Sequence, residues 1–316
     1  MTPGYLPLVE DYLTLRRAHG FAVERPGWLL RDFARCADGL AHHGPITVDL
    51  AVRWALSQRA GGPANAARRL GVVRQFARHR AALDPATEIP PSDLLGRPAG
   101  RPQPHIYSKG EIAALLQACR RLPPRDGLRP ATYVAFFALL ASTGLRLSEA
   151  CRLGRRDVDL TTGLLTVRAG KFRKARLVPL HPTGVQALAR YAARRDAGRT
   201  APPSECFFRT DRRPALTRPA VEQTFRQLRD RLGWSAPGRT RRPRIHDLRH
   251  TFAVRRLLRW AHDGLALEGQ MLALATYLGH AKVTDTFWYL SAVPELMAIT
   301  AQRFERFARR AQERTL

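Results

Sequence analysis

Acidic residues are scarce in this sequence. Its 316 residues include 26 Asp and Glu against 53 Lys and Arg, a formal net charge of +27 at pH 7. Residues 106–316 carry 39 basic and 17 acidic side chains (net +22), and residues 1–105 carry 14 and 9 (net +5). A GC-rich genome would explain why only four of the basic residues are lysines, but it would not explain the missing acidic residues. The surplus predicts binding to a polyanion, with DNA or RNA as the first candidates.

Long apolar runs and paired cysteines are also missing. The longest apolar run, residues 133–141, is far shorter than a membrane span. The N-terminus lacks the charged and apolar regions of a secretion signal. The four cysteines, which do not have metal-ligand or redox spacing, are Cys36, Cys119, Cys151 and Cys206. We therefore predict a cytoplasmic protein with reduced thiols, no membrane segment and no metal site.

The first quarter of the chain reads as a small helical domain. Apolar residues recur at helical spacing over 5–19, 27–42 and 63–83, and Thr47 is placed to cap another helix that starts there. Arginines occupy the other faces of the 63–83 helix, which predicts either a DNA-facing surface or a solvated face. A stretch rich in proline and glycine follows. We predict a helical domain over 1–95, a linker over 96–105 and a second domain over 106–316.

The second domain is predicted to be mainly helical with a small antiparallel sheet. Ser108 and Glu111 form a capping-box pattern at its first helix. Strand-like patterns run through residues 156–180, and helical patterns return from residue 181 onward. Two basic stretches rich in helix breakers, residues 198–214 and 234–244, interrupt those helices.

A first candidate for a functional cluster lies just after an apolar helix. Gly144 ends that helix, and Arg146 is thereby delivered to the edge of the predicted core. Glu149, three residues later, can hold a neighbouring group in place. An Arg–Glu pair on a helix surface is common, so this pair does not identify a site by itself.

The tip of a basic hairpin, residues 170–174, supplies a second candidate. Lys171 lies there, and a lysine whose pKa is lowered by neighbouring positive charge can act as a general acid toward a departing alkoxide. A solvated basic turn would give the same pattern. Lys174 is an alternative candidate for the acid.

A third candidate opens a helical pattern at residue 245. His246 and Arg249 are three residues apart and therefore share one helix face. Arginine suits phosphate oxygens, and histidine can donate a proton near neutral pH. The pair indicates part of a phosphate-handling site, although such pairs also occur without a catalytic role.

Two tyrosines lie close to His280. A tyrosine hydroxyl can attack phosphorus and form a covalent ester when arginine and histidine donors neutralise the phosphate. Tyr289 is nine residues after His280, and a half-buried core aromatic is the alternative for it. Tyr277 fits a core aromatic better because it lies in an apolar Tyr-Leu-Gly context.

Taken in order, the motifs form a set. They are Thr-Gly-Leu-Arg-Leu-Ser-Glu at 143–149, Gly-Lys at 170–171, His-Asp-Leu-Arg-His at 246–250, Leu-Gly-His at 278–280 and Tyr289. The set resembles the tyrosine recombinase (phage integrase) family. The resemblance covers the whole chain and is specific over 106–316. The residues around Tyr289 are also similar to integrases of the recombinase-in-trio and related transposon types.

The resemblance implies a helical core-binding domain, an integrase-type catalytic domain and a role for each matching residue. Tyr289 would be the nucleophile, giving a 3′-phosphotyrosyl enzyme and a free 5′-hydroxyl, and Lys171 would protonate the leaving 5′-oxygen. The residues expected around the phosphate are Arg146, Arg249, His246 and His280, with Glu149 and His250 in supporting positions. No metal and no cofactor are implied, because the phosphotyrosine conserves the energy of the broken bond.

The implied partner is double-stranded DNA carrying specific recombination sites, which places the protein on the nucleoid. A homo- or hetero-tetramer on DNA is implied, with companion recombinases as an option. An amphipathic helix over 293–310 would dock on a neighbouring protomer or in cis. The basic residues expected to contact DNA are Arg68, Arg69, Arg74, Arg78, Arg173, Lys174, Arg241, Arg242 and Arg244.

The interval from Arg249 to His280, 31 residues (280 − 249 = 31), is longer than in many family members, so we expect an extra turn or loop within 260–270. Two other functions would share much of the sequence. They are a type IB topoisomerase-like nicking and closing enzyme, and a catalytically silent DNA-binding accessory subunit.

Overall fold

The structure, a computed structural model, divides into two units, one up to residue 102 and one from residue 103. The residues described are 4–21, 23–57, 62–96, 103–168, 175–197, 205–234, 242–280 and 282–292, together with 298 and 305. The predicted helix over 293–310 lies almost wholly outside the described residues. None of the described helices is long and apolar enough to cross a membrane.

The N-terminal unit consists of four helices in its described part. They are α1 (Tyr5–Ala18), α2 (Glu24–Gly39), α3 (Val48–Ser57) and α4 (Gly62–Ala81). The predicted cap on α3 is present, because the Thr47 hydroxyl accepts a hydrogen bond from the amide of Leu50 at 3.2 Å. Phe33 and Trp54, both fully buried, meet edge to face in the core of this unit.

The arginines of α4 do not share one environment. Arg68 and Arg78 are exposed, and Arg74 donates hydrogen bonds to the carbonyls of Pro90 and Pro91. Arg69 is only 2% exposed. A buried guanidinium does not fit the DNA contact predicted for Arg69. The helical repeat of about 3.6 residues per turn brings this arginine onto the apolar face of the helix.

Arg69 instead holds two helices of the N-terminal unit together. Its guanidinium donates to the carbonyl of Trp54 at 2.8 Å and lies over the indole ring, 4.2 Å from the centroid. The nearest carboxylate, Asp32, is 3.7 Å away. Burial lowers the pKa of Arg69.

The second unit contains eight helices among its described residues. They are α5 (Lys109–Arg120), α6 (Leu128–Thr143), α7 (Leu147–Cys151), α8 (Pro182–Ala197), α9 (Arg218–Arg231), α10 (Ile245–His262), α11 (Leu267–Leu278) and α12 (Thr284–Ala292). The capping box at α5 is confirmed by the reciprocal hydrogen bonds of Ser108 and Glu111. The turn between α10 and α11, residues 263–266, lies within the stretch where an extra turn was expected.

A three-stranded antiparallel sheet lies between α7 and α8 in the chain, as the strand patterns predicted. Its strands, in the order β1-β2-β3, are β1 (Val158–Asp159), β2 (Leu164–Val167) and β3 (Arg176–Pro179). Leu165 pairs with Val158 on one side and with Val178 on the other, and all three are buried. The basic hairpin tip between β2 and β3 lies outside the described residues.

The apolar helix α6 forms the centre of the second unit. It packs on α5, α8 and α10, and Phe136 and Phe137 on it are fully buried. Helix α10 in turn packs on α11 and α12. The C-terminal end of α6 is therefore brought next to α10 and the end of α11, and the predicted site residues lie there.

Candidate active site

Two arginines are anchored on the backbone where α6 and α11 end. Arg249, on α10, donates from Nη1 to the carbonyl of Gly144 and from Nη2 to the carbonyl of Leu278, each at 2.8 Å. Arg146, just before α7, donates from Nη2 to the carbonyl of Gly279, also at 2.8 Å. Because both guanidiniums bind carbonyls of residues 278–279, the structure brings together the two arginines that the sequence placed 103 residues apart.

Glycines make these helix ends possible. Gly144 and Gly279 both adopt left-handed backbone conformations, with φ of 64° and 68°. A Cβ on Gly144 would lie 2.7 Å from Cδ1 of Phe252, and one on Gly279 would lie 2.7 Å from Nη1 of Arg176. Both positions therefore require glycine for two reasons, backbone angle and space.

Glu149 is the buried acid of the site, with 4% exposure. It accepts hydrogen bonds from Nη1 and from the backbone amide of Arg146, at 2.9 and 2.8 Å. Arg176 donates to both oxygens of the same carboxylate, at 3.1 and 2.9 Å. Burial by itself would raise the pKa of Glu149, but the hydrogen bonds from Arg176 and Arg146 outweigh it and lower the pKa to about 2.

Arg176 is a site residue that sequence reasoning missed. It opens β3, binds Glu149, and donates from Nε to the carbonyl of Tyr277 at 2.8 Å. It thereby ties the sheet to the end of α11, where Arg146 and Arg249 are anchored. The available signal was its position on the inward face of a strand that directly follows a basic hairpin. Because the region is rich in arginines, one more arginine did not stand out as a site residue.

Three histidines lie around Tyr289. The Tyr289 hydroxyl and Nδ1 of His250 are 3.0 Å apart and hydrogen bonded. Nδ1 of His280 is hydrogen bonded to the hydroxyl of Thr286 at 2.7 Å, and its ring lies nearly parallel to that of Tyr289 at 6.5 Å. The rings of His246 and His250 are perpendicular, with centroids 4.7 Å apart.

Tyr289 is buried rather than half-buried. It is 2% exposed and belongs to a small apolar cluster with Val254 and Leu257 of α10 and Leu274 of α11. Tyr277, the other tyrosine considered, is partly buried and stacks on Phe252 at 5.4 Å. Its hydroxyl is 3.5 Å from the carbonyl of Pro179, away from the histidines.

The electrostatics of the site favour an anion. Burial, followed by the charge of Arg146, lowers the pKa of Arg249 to about 10, and Tyr289 and Glu149 oppose that shift. Burial and the charge of Arg249 lower the pKa of His246 to about 4, although part of this side chain faces solvent. The arginines are thus charged and the histidine is neutral near pH 7, a combination that binds phosphate and offers N–H donors to it.

The other predicted residues are placed less centrally or lie outside the described residues. Arg242 and Arg244 are exposed, and Arg244 is ion-paired with the buried Asp247 at 2.8 Å. The candidates Lys171, Arg173, Lys174 and Arg241 lie outside the described residues. Within the described part of the chain, no three His, Cys, Asp or Glu side chains are grouped so that they could hold a metal ion.

This fold, with its paired arginines beside a tyrosine, is that of a tyrosine recombinase catalytic domain. The model of the phage integrase family matches residues 107–295. The chain therefore belongs to the phage integrase family, and it is a tyrosine-type site-specific DNA recombinase.

Similar proteins agree with this assignment over nearly the full length. The chain is 41% identical to a putative integrase/recombinase, y4rE, of Sinorhizobium fredii, covering 93% of this chain and 94% of that one. It is 31% identical to the tyrosine recombinase XerD of Mycobacterium tuberculosis, covering 90% and 91%.

A solved structure supports the fold. The Tn1549 transposon integrase in complex with transposon right end DNA superposes with a TM-score of 0.69 at 17% identity, covering 95% of this chain and 99% of that one.

Proposed function

We propose that this recombinase cleaves and rejoins duplex DNA through a phosphodiester bond to Tyr289. The observation that carries the proposal is the anchoring of Arg146 and Arg249 on adjacent carbonyls at the end of α11. Two fixed guanidiniums can bind the non-bridging oxygens of one phosphate. Tyr289 is among the groups whose ionised form would influence the pKa of Arg249, and this supports Tyr289 as the nucleophile.

In the proposed reaction, the Tyr289 oxygen attacks phosphorus and the bond from phosphorus to the 5′-oxygen breaks. The two arginines stabilise the charge that develops on the phosphate, the kind of fixed electrostatic stabilisation on which such reactions depend. Neutral His246 would contribute a hydrogen-bond donor rather than a charge. Lys171 is proposed to protonate the leaving oxygen, with Lys174 as the alternative.

The remaining site residues are proposed to orient the arginines and to contact DNA. Glu149, itself bound by Arg176, orients Arg146. Thr286 orients the ring of His280, which is proposed to contact the phosphate. Exposed basic residues, among them Arg68, Arg78 and Arg242, are proposed to bind the DNA backbone. We also propose assembly as a tetramer on DNA at the nucleoid, with other recombinases as optional partners.

Covalent trapping tests this function. The protein would be mixed with nicked duplexes carrying candidate sites from the DNA that flanks its gene, and a denaturant-resistant adduct would be measured. We expect an adduct with the wild type and with Tyr277→Phe, a matched change at a tyrosine away from the histidines. We expect none with Tyr289→Phe, because that variant lacks the attacking oxygen.

Other results would redirect the assignment. An adduct that persists in Tyr289→Phe and disappears in Tyr277→Phe would transfer the nucleophile to Tyr277. Tight binding with no adduct from the wild type would favour a DNA-binding accessory subunit.

A further inference from the structure

The hydroxyl of Tyr289 is in contact with a histidine that is not one of the residues matched to the phosphate. Nδ1 of His250 lies 3.0 Å from that hydroxyl, and the two ring centroids are 5.5 Å apart. The contact is partly shielded from water: Tyr289 is 2% exposed, His250 is partly buried, and Trp288 packs against both rings. A hydrogen bond in such a place is directional and faces less competition from solvent than one on the surface.

The other two histidines of the site are oriented differently. Nδ1 of His280 is hydrogen bonded to the Thr286 hydroxyl, and its ring lies alongside the face of Tyr289. His246 meets His250 at a right angle and is the more exposed of the two. Of the three, His250 is the histidine whose Nδ1 is seen hydrogen bonded to the hydroxyl of Tyr289.

We propose that His250 is the proton acceptor for Tyr289 in the cleavage step, taking the hydroxyl proton on Nδ1 as the oxygen attacks phosphorus. The proposal rests on the proposed function, in which Tyr289 is the nucleophile. The bond from the Tyr289 oxygen to phosphorus forms, and the proton passes to His250. The bond from phosphorus to the 5′-oxygen breaks, and that oxygen takes a proton from the general acid. In rejoining, His250 returns the proton to the departing tyrosine oxygen.

A base is needed because free tyrosine is almost wholly protonated at neutral pH, with an ordinary pKa near 10. For Nδ1 to accept, the neutral ring carries its proton on Nε2. The surroundings keep the ring neutral, since burial and the charges of His246, Arg244 and Arg249 lower the pKa of His250 to about 3 against the opposing charge of Asp247.

Bound DNA would make it easier for His250 to accept a proton. A phosphodiester anion on the two arginines offsets the positive charge that disfavours protonated His250. The pKa of His250 therefore rises when the substrate is in place, and a general base is more effective as its pKa approaches the working pH. The same histidine would accept a hydrogen bond without DNA and a proton with DNA.

The test compares two substrates and one conservative variant. In His250→Asn, the amide oxygen can still accept a hydrogen bond near the position of Nδ1 but cannot take a proton. The substrates are a nicked duplex with an ordinary scissile phosphate and the same duplex with sulfur in place of the leaving 5′-oxygen. A thiolate leaves without a proton, so the sulfur substrate removes the need for the general acid but not for the base.

We expect His250→Asn to bind DNA as tightly as the wild type and to form the adduct about 100- to 10,000-fold more slowly on both substrates. Its rate should increase with pH up to about 10, the ordinary pKa of tyrosine, because deprotonation then comes from solvent. Lys171→Ala should be slow on the oxygen substrate and restored by sulfur. His262→Asn, the same change at an exposed histidine of the same helix, should react at the wild-type rate.

Two results would overturn the proposal while leaving Tyr289 as the nucleophile. One is a wild-type rate for His250→Asn on both substrates. The other is restoration of His250→Asn by the sulfur substrate, which would assign His250 to the leaving oxygen. If His250→Asn fails to bind DNA, His250→Gln takes its place and is judged by the same two results. No adduct from the wild type, or an unchanged adduct from Tyr289→Phe, would instead refute the proposed function.

Discussion

At the scale of single residues, the site depends on a glycine as much as on its charged groups. Gly279 follows α11 with φ of 68°, and a Cβ added to it would lie 2.7 Å from Nη1 of Arg176, which in turn binds Glu149. An added methyl group would press on Arg176 and loosen the hydrogen bonds by which Glu149 orients Arg146. The geometry of the proposed phosphate site therefore extends to a residue that has no side chain.

Gly279→Ala is expected to lower the free energy of unfolding by about 2–4 kcal/mol, from backbone strain and from displacement of Arg176. Adduct formation should slow as well, because Arg146 loses its support. Gly264→Ala is the matched control, since Gly264 has φ of 81° and open space where the Cβ would lie. It should show the backbone strain alone, about 1–2 kcal/mol. Urea unfolding measures both, and equal losses in the two variants would contradict the role given to Arg176.

At the scale of elements, α4 divides its arginines between two tasks. Arg69 points into the N-terminal unit and joins α4 to α3 through Trp54, whereas Arg68 and Arg78 face solvent. Only the exposed residues can exchange counterions with a DNA backbone. Stability and DNA affinity should therefore respond to different positions of the same helix.

Arg69→Ala is expected to lower the free energy of unfolding by about 2–4 kcal/mol, because it removes a buried, hydrogen-bonded side chain. Arg78→Ala should change stability by no more than about 0.5 kcal/mol. It should instead make the slope of log DNA affinity against log salt concentration shallower by about one, the equivalent of one counterion. Urea unfolding and binding titrations at several salt concentrations separate the two effects. A large stability loss in Arg78→Ala would be inconsistent with this division.

Among the helices and strands, the features that could be predicted from the sequence are those that depend on local patterns. The helices and strands follow their apolar periods, and Ser108 and Thr47 cap helices as expected because capping is a contact within one turn. Arg69 was misjudged because helical spacing alone does not say which face is buried. The pairing of Arg176 with Glu149 was not predictable, since it joins a strand to a helix 27 residues away.

The same limit applies inside the site. The ordered motifs identified Arg146, Arg249 and Tyr289 as one set, because the family resemblance supplies the relation between distant segments. The motifs did not indicate that His250 would face the Tyr289 hydroxyl, since that contact depends on how α12 packs on α10. A supporting role for His250 was the sequence-based prediction, and the proposed proton transfer gives that role a specific chemistry.

At the scale of the whole molecule, positive charge is in excess, and acid adds more of it. The net charge is +27 before any histidine is protonated. His246 and His250 are held neutral in the folded protein, with pKa values lowered to about 4 and about 3. The pKa of Glu149 is lowered to about 2. All three groups bind protons more readily in the unfolded chain, so acid favours unfolding.

The free energy of unfolding is therefore expected to decrease in two ranges as the pH falls. The histidines act first, below the ordinary histidine pKa of about 6.5, and Glu149 acts below its ordinary value of about 4.3. The double variant His246→Asn, His250→Asn should flatten the first range, and Glu149→Gln should flatten the second. Urea unfolding at a series of pH values measures the slopes. A wild-type stability that stays constant between pH 7 and pH 4 would contradict this assignment.

The backbone carbonyls that anchor the two arginines belong to the ends of α6 and α11. A helix end leaves its last carbonyl groups without partners inside the helix, and here guanidiniums take that place. Fraying of either end would release an arginine, and a phosphate held by both arginines would keep both ends closed. Under the proposed function, local unfolding of the two helix ends and occupancy of the anion site would be one coupled equilibrium, in which DNA would act as a cap for α6 and α11 without touching their backbone.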